Sequence, residues 1–296
     1  MFPRTTKQSV HFDMHTHSGR SWESKIPGRL LLTLARQNGL QGIGICEKDA
    51  FPDETLFTHA AKLRLKLALG IEFSCRDASI IGFGLDLTTK DQTKLESRFA
   101  LVREQTLQRA HVLIERLQSW DGTINRKNVA AFAGRDPHPT FIVQYMVQAR
   151  RMFPSMIDAG RFIAEERLDS DLPALHLPDP VDIIELIHRV GGVSIWAHPF
   201  MSPSEKQRPL MATLAEAGLD GIEAVYPYRE NGYPGEESNE ILQARTLSLT
   251  KNTDVFFSGG SDCRYPIGPF EDTRLMLPGE YGITSHEAQF LERVLH

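Results

Sequence analysis

The sequence predicts an α/β protein, a closed or nearly closed barrel of strands interrupted by a helical insertion. Two patterns carry this expectation. Short apolar strands alternate with helical segments in the first third and again after about residue 179, as repeated strand–helix units require. From about residue 90 to residue 178 only helical periodicity is found. The expected division is therefore a discontinuous barrel, residues 9–90 and 179–296, with a helical insertion or lid at 91–178.

The elements read in order as follows. His11 to His15 is a strand. Pro27 to Arg36 is a helix, with proline early and Gly39 near its end. Gly42 to Cys46 is a short apolar strand, Asp53 to Leu67 fits a helix, and Gly70 to Ser74 and Ser79 to Gly84 are strands. Leu95 to Trp120, Phe141 to Phe153 and Met156 to Arg167 are the helices of the insertion. Then come a helix at Pro180 to Val190, a strand at Val193 to Ala197, a helix at Glu205 to Ala217 and a strand at Gly221 to Val225. A helix at Glu236 to Leu249 and a strand at Val255 to Ser258 follow, with one more strand expected at Arg274 to Leu277. The strand–helix repetition implies parallel strands.

The chain has 296 residues, enough to bury a large core. Its net charge of -5 gives no general nucleic-acid footprint, although a local basic pocket for a nucleotide remains compatible with it. Cys46, Cys75 and Cys263 are too few for a disulfide framework and fit a reducing compartment. Residues 1–10 have no apolar core of a secretory signal, and no apolar run approaches a membrane span. A cytoplasmic protein is expected.

Functional residues of such barrels collect where strands end at the C-terminal face. His15 and His17 are two apart, so a strand presents both imidazoles to one side, half of a metal site. Other strand ends bring Glu47, Lys48, Asp49, Glu72, His198, Glu223 and Tyr226, and Asp262 in Ser258-Gly259-Gly260-Ser261-Asp262. His11 shares the face of His15 and is expected deeper in the core; His111 and His188 lie in helices and read as structural. Mixed histidine and carboxylate donors suit Mn, Fe or Zn.

At these motifs the chain resembles the PHP superfamily, the polymerase and histidinol phosphatase group of metal-dependent phosphoesterases. The resemblance runs through Asp13-Met14-His15-Thr16-His17, Gly42 to Asp49, Gly70-Ile71-Glu72, Gly82 to Asp86, Gly191 to Pro199, Gly218 to Glu223 and Ser258 to Asp262. It implies a distorted (β/α)7 barrel with up to three metal ions at its rim. The inserted helices resemble the TrpH-like branch, whose members act on nucleotide phosphates or short RNA ends.

The sequence departs from the family at four usual ligand positions, now Trp22, Lys48, Ser79 and Arg264. His15, His17, Glu72 and Asp262 resemble the ligand set of one metal, and His198 a ligand of a second. One or two ions rather than three are therefore expected. Lys48 and Arg264 are cations where ligands are lost, and would supply positive charge around a phosphate. Glu23 and Glu47 lie one residue from lost ligands and could substitute for them if the register shifts. Arg135 and His138 resemble an Arg/His pair that faces the cleft in family members. His198 fits either a metal ligand or a proton donor to the leaving oxygen; Tyr226 and Tyr228 fit either pocket lining or packing.

The expected function is a metal-dependent phosphoric ester hydrolase acting on a small phosphate ester, a nucleotide or a short RNA end. Two other readings fit the residues: a degenerate barrel that binds a phosphate-bearing ligand without catalysis, and a hydrolase of another bond with an amidohydrolase-like ligand arrangement.

Overall fold

A computed structural model describes residues 10–201, 204–233, 235–264 and 276–296. The contacts divide the described residues into two units, one from 10–88, 178–264 and 276–296 and one from 89–177.

The first unit is one seven-stranded sheet in the order β1-β2-β3-β4-β5-β6-β7. The strands are β1 Phe12–Thr16, β2 Gly42–Lys48, β3 Lys66–Cys75, β4 Ala78–Phe83, β5 Val193–Ala197, β6 Gly221–Val225 and β7 Phe256–Gly259. Chain leaving β7 returns to β1: Asp262 N–H donates to the His15 carbonyl at 2.7 Å and His17 N–H to the Cys263 carbonyl at 2.8 Å. These bonds nearly close the sheet into a barrel.

The parallel expectation fails at β4, which is antiparallel to both β3 and β5. Only Arg76 and Asp77 separate β3 from β4, too few for a crossover, so the chain turns back as a hairpin. Asp77 takes the left-handed conformation of that turn. The helix expected at Asp53 to Leu67 is shorter, α2 Leu56–Leu63. Arg64 stops it with φ 51°, and Leu65, Leu67 and Leu69 then alternate as a strand would have them. The strand expected at Arg274 to Leu277 falls largely outside the described residues.

Barrel parity explains the packing. Phe12, Met14, Cys46, Ala68, Ile81, Phe83, Val193, Ile195 and Ala197 form the interior with Leu291 and Val294 from the chain's end. Ile43, Ile45, Leu67 and Leu69 face outward onto α1 (Gly28–Gln37) and α2. Interior glycines make room for the Phe83 ring. A Cβ at Gly70 would overlap the Gly82 carbonyl oxygen and stand 2.5 Å from that ring. Gly70→Ala is therefore expected to destabilise the fold by about 1–3 kcal/mol, the usual cost of overpacking, read as a lower urea midpoint with unchanged slope.

In β1 the parity changes. Asp13 pairs with Ile43 but Thr16 with Ile45, so three residues of β1 oppose two of β2. This bulge turns the inward series Phe12 and Met14 into His15 and His17. The same irregularity separates His11 from the face of His15. His11 is half-buried, not core, and its Nδ1 lies 2.7 Å from the Ser285 hydroxyl. A second register shift falls in β6 between Glu223 and Val225.

Three helices complete the first unit's crossovers: α7 Pro180–Arg189, α8 Ser204–Glu216 and α9 Asn239–Leu249. The second unit contains α3 Thr89–Trp120, α4 Arg126–Ala133, α5 Pro139–Gln144 and α6 Met156–Glu165. Its own core joins Leu113, Ile114 and Leu117 of α3 to Val129, Ile142, Met146 and Ile163. None of the described helices is long and apolar enough to cross a membrane.

Candidate metal centre

Side chains from β1, β2, β3, β6 and the turns after β5 and β7 meet at one end of the barrel. His15 Nε2 and His17 Nε2 are 3.2 Å apart. Glu72 Oε2 lies 3.6 Å from the first and 3.3 Å from the second. Asp262 Oδ1 lies 3.8 Å and 3.1 Å from the same two atoms. All four residues are buried. His198, Lys48 and Arg264 join them. His198 Nε2 and Lys48 Nζ each lie 3.1 Å from Glu72 Oε1. Arg264 donates to Asp262 Oδ2, and at 2.9 Å to Glu23 Oε1.

The turns that deliver these groups are strained. His198 has φ 31° and Asp262 φ 52°, in the left-handed region that non-glycine residues avoid. The rest of the structure holds them there: His198 N–H donates to Glu223 Oε2 at 2.8 Å, and Asp262 is tied to β1.

Glu223 organises the site although it faces no open position. His15 Nδ1 sits 3.0 Å from Glu223 Oε1. A carboxylate only accepts, so His15 Nδ1 carries a hydrogen and, in the neutral ring, Nε2 presents its lone pair to the centre. Tyr226 donates to Asp262 Oδ2 at 2.6 Å, and buried Tyr228 receives the Phe200 N–H at 3.4 Å. Each carboxylate ligand candidate is thus divided: Glu72 Oε2 and Asp262 Oδ1 face the histidines, while the second oxygens are held by Lys48 and His198 or by Arg264 and Tyr226.

These groups fit a metal ion. Asp262 Oδ1 is buried with no aligned hydrogen-bond donor, a costly state without a partner. A tetrahedral ion with bonds of about 2.1 Å spaces its ligands about 3.4 Å apart, close to the separations found here. Glu23, Glu72, Glu223 and Asp262 bring four carboxylates against the two cations Lys48 and Arg264. The remaining charge is what a divalent ion neutralises.

The electrostatics agree. Burial opposes ionisation of Asp262, yet Arg264 and then His15 hold its carboxyl well below the usual range. Burial likewise opposes the charge of Glu72, and Lys48, His15 and His198 together hold its carboxyl well below the usual range. Burial disfavours a charged Lys48, but Glu72 and Glu23 keep its ammonium more firmly protonated than an ordinary lysine. For His15, burial acts downward, but Glu223, Cys46 and Asp262 together act upward, so its imidazole holds a proton well above the ordinary histidine range. Metal affinity is therefore expected to fall on acidification and to keep rising above pH 7, as the ion displaces that proton. Dissociation constants of Zn²⁺ measured between pH 6 and 9 check this; a plateau from pH 7 upward would contradict it.

Other sequence candidates are placed differently. Glu47 is saturated: both Ser18 and Ser21 donate their amide and their hydroxyl to it. It anchors the turn after β1 and has no place as a substitute ligand. Cys46 lies near the two histidines, but its thiol donates to the Thr16 carbonyl at 3.7 Å, and burial pushes its pKa up. Ser79 is half-buried in β4, and Trp22 half-buried in the turn after β1. Arg135 and His138 belong to the helical unit. His138 caps α5, its Nδ1 accepting the Thr140 N–H at 3.2 Å. His188 pairs with Asp220 at 2.9 Å.

No family model matches the chain. A 5'-3' exoribonuclease of Haemophilus influenzae is 24% identical over 267 residues, covering 88% of this chain and 92% of that protein. A crystal structure from Bifidobacterium adolescentis, ascribed to a metal-dependent phosphoesterase, superposes with TM-score 0.69 at 24% identity, over 97% of this chain and 96% of that one. An amidohydrolase from Chromobacterium violaceum, solved with bound sulfate and no metal, has TM-score 0.68 at 18% identity, covering 92% and 91%. The chain thus shares its overall fold with both of these structures.

Proposed function

We propose that this protein is a metal-dependent phosphoesterase whose principal ion is held by His15, His17, Glu72 and Asp262. The observation that carries this reading is the convergence of two imidazole nitrogens and two carboxylate oxygens, one of them without a donor, in a pocket with excess negative charge. A divalent Mn, Fe or Zn ion in that place supplies a Lewis acid that polarises a phosphoryl oxygen and acidifies water. The chain's own residues do the rest. Lys48 and Arg264 neutralise charge on the transferring group, exchanging their carboxylate partners for phosphate oxygens. His198, beside Glu72, would protonate the leaving oxygen or serve as a ligand of a second ion.

The substrate class is a small phosphorylated molecule, with a nucleotide or a short RNA end favoured by the likeness to the exoribonuclease. Release of phosphate or nucleotide from a panel of sugar phosphates, nucleotides and 5'-phosphorylated oligoribonucleotides, with Mn²⁺, Fe²⁺ or Zn²⁺ added to chelator-treated protein, tests this. Metal-dependent turnover of any member supports the reading; none across the panel argues against it.

One observation favours a second reading. Both Lys48 and Arg264 are already bound to carboxylates. A barrel that keeps these pairs closed would bind an anion without turning it over, as a degenerate PHP module.

A further inference from the structure

We propose that Ser21 and Glu47 form a relay that fixes the tautomer of His17, as Glu223 does directly for His15. The inference rests on His17 being a ligand, and it concerns residues that touch neither the ion nor the substrate. They are positioning residues.

The deduction is one of hydrogen-bond valence. Ser21 Oγ has a single proton and two lone pairs. It lies 2.5 Å from Glu47 Oε2, 2.9 Å from the Lys48 amide nitrogen and 3.4 Å from His17 Nδ1. The carboxylate can only accept, so the hydroxyl proton goes to Glu47. The amide can only donate, so it takes one lone pair of Oγ. With its proton on Glu47, Ser21 Oγ can only accept from His17 Nδ1, which must then be the donor. His17 is held as the Nδ1–H form, and its Nε2 lone pair points at His15, Glu72 and Asp262.

The surroundings hold Ser21 still. Glu47 accepts from both the amide and the hydroxyl of Ser18 and Ser21. Ser24 Oγ donates to the His17 carbonyl at 3.1 Å. All five of these residues are buried. The same hydroxyl that orients His17 also receives the Lys48 amide, so one serine sets a metal ligand and the backbone of the neighbouring cation. A negative charge two bonds removed from the ring also makes Nε2 a better donor to an ion.

The test uses the full chain, ¹⁵N-labelled and free of metal. Long-range ¹H–¹⁵N correlation spectra report the tautomer of each neutral imidazole, and His17→Asn assigns the signal. Protonated Nδ1 on His17 is expected in the wild type. In Ser21→Ala the population shifts toward Nε2–H, and Zn²⁺ affinity, measured by competition with a chromophoric chelator, falls about 10–100-fold. Glu47→Gln, which keeps the shape but weakens the acceptor, moves both readouts in the same direction. His17 found as Nε2–H in the wild type would overturn the relay, as would a Ser21→Ala protein that keeps both tautomer and affinity. If Ser21→Ala does not fold, the wild-type spectrum alone decides. A wild-type chain with Nδ1–H on His17 that takes up no metal would overturn the metal reading and leave the relay standing.

Discussion

Replacing His15 with alanine is expected to weaken metal binding by more than the roughly 10–100-fold that loss of an outer partner costs. The residue stands at the crossing of the site. Its Nε2 faces His17, Glu72 and Asp262, and its Nδ1 satisfies Glu223. Removing it takes away one donor to the ion and leaves Glu223 with the His198 amide as its remaining partner at the rim. An uncompensated buried carboxylate costs about 3–5 kcal/mol where it is fully desolvated, so the metal-free variant should also unfold at lower urea. Chelator competition and urea titration on the same preparation separate the two effects. Unchanged affinity with reduced stability would make His15 a structural residue and move the ion elsewhere.

Arg264→Met is expected to do the opposite: keep the metal and lose the chemistry. Arg264 reaches Asp262 Oδ2 and Glu23, while the oxygen of Asp262 that faces the histidines is the other one. Methionine preserves much of the stem's packing and removes the guanidinium. The site then carries one more unbalanced negative charge, which favours a cation. A phosphate ester loses its planar donor fork, and kcat/KM should drop about 10²–10³-fold, the scale seen when one stabilising donor is removed from a developing anion. Metal retention with that drop supports a role toward phosphate. Full turnover in the variant would make Arg264 a clamp on Asp262 and Glu23 and nothing more.

Much of this architecture is legible in the chain. The apolar strands at Val193 to Ala197 and Gly221 to Val225 are found where their alternation puts them. The strand ends that carry His15, Glu72, His198 and Asp262 do meet at one rim. What the sequence conceals is set by partners far along the chain. The β1 bulge arises from pairing with β2 and has no local residue signature, yet it decides that His15 and His17, and not His11, point inward. Glu223 is visible as a charged residue in a buried strand, but its role depends on a histidine 208 residues away. Glu47 looks like a spare ligand one place from a lost one. Only the turn of Ser18 and Ser21 around its carboxylate reveals that its oxygens are already taken. The hairpin that makes β4 antiparallel was readable from the short Arg76-Asp77 link; the repeated strand–helix rhythm on either side obscured it.

The most direct test of the metal-centred reading is the metal content of the purified wild-type chain by elemental analysis, after loading with Mn²⁺, Fe²⁺ or Zn²⁺ and removal of excess ion. One tightly held equivalent, or two if His198 and Glu72 hold a second, is the expected result. A chain that retains none under any loading would contradict it, and would leave a barrel whose histidines and carboxylates are balanced by Lys48, Arg264 and a proton on His15.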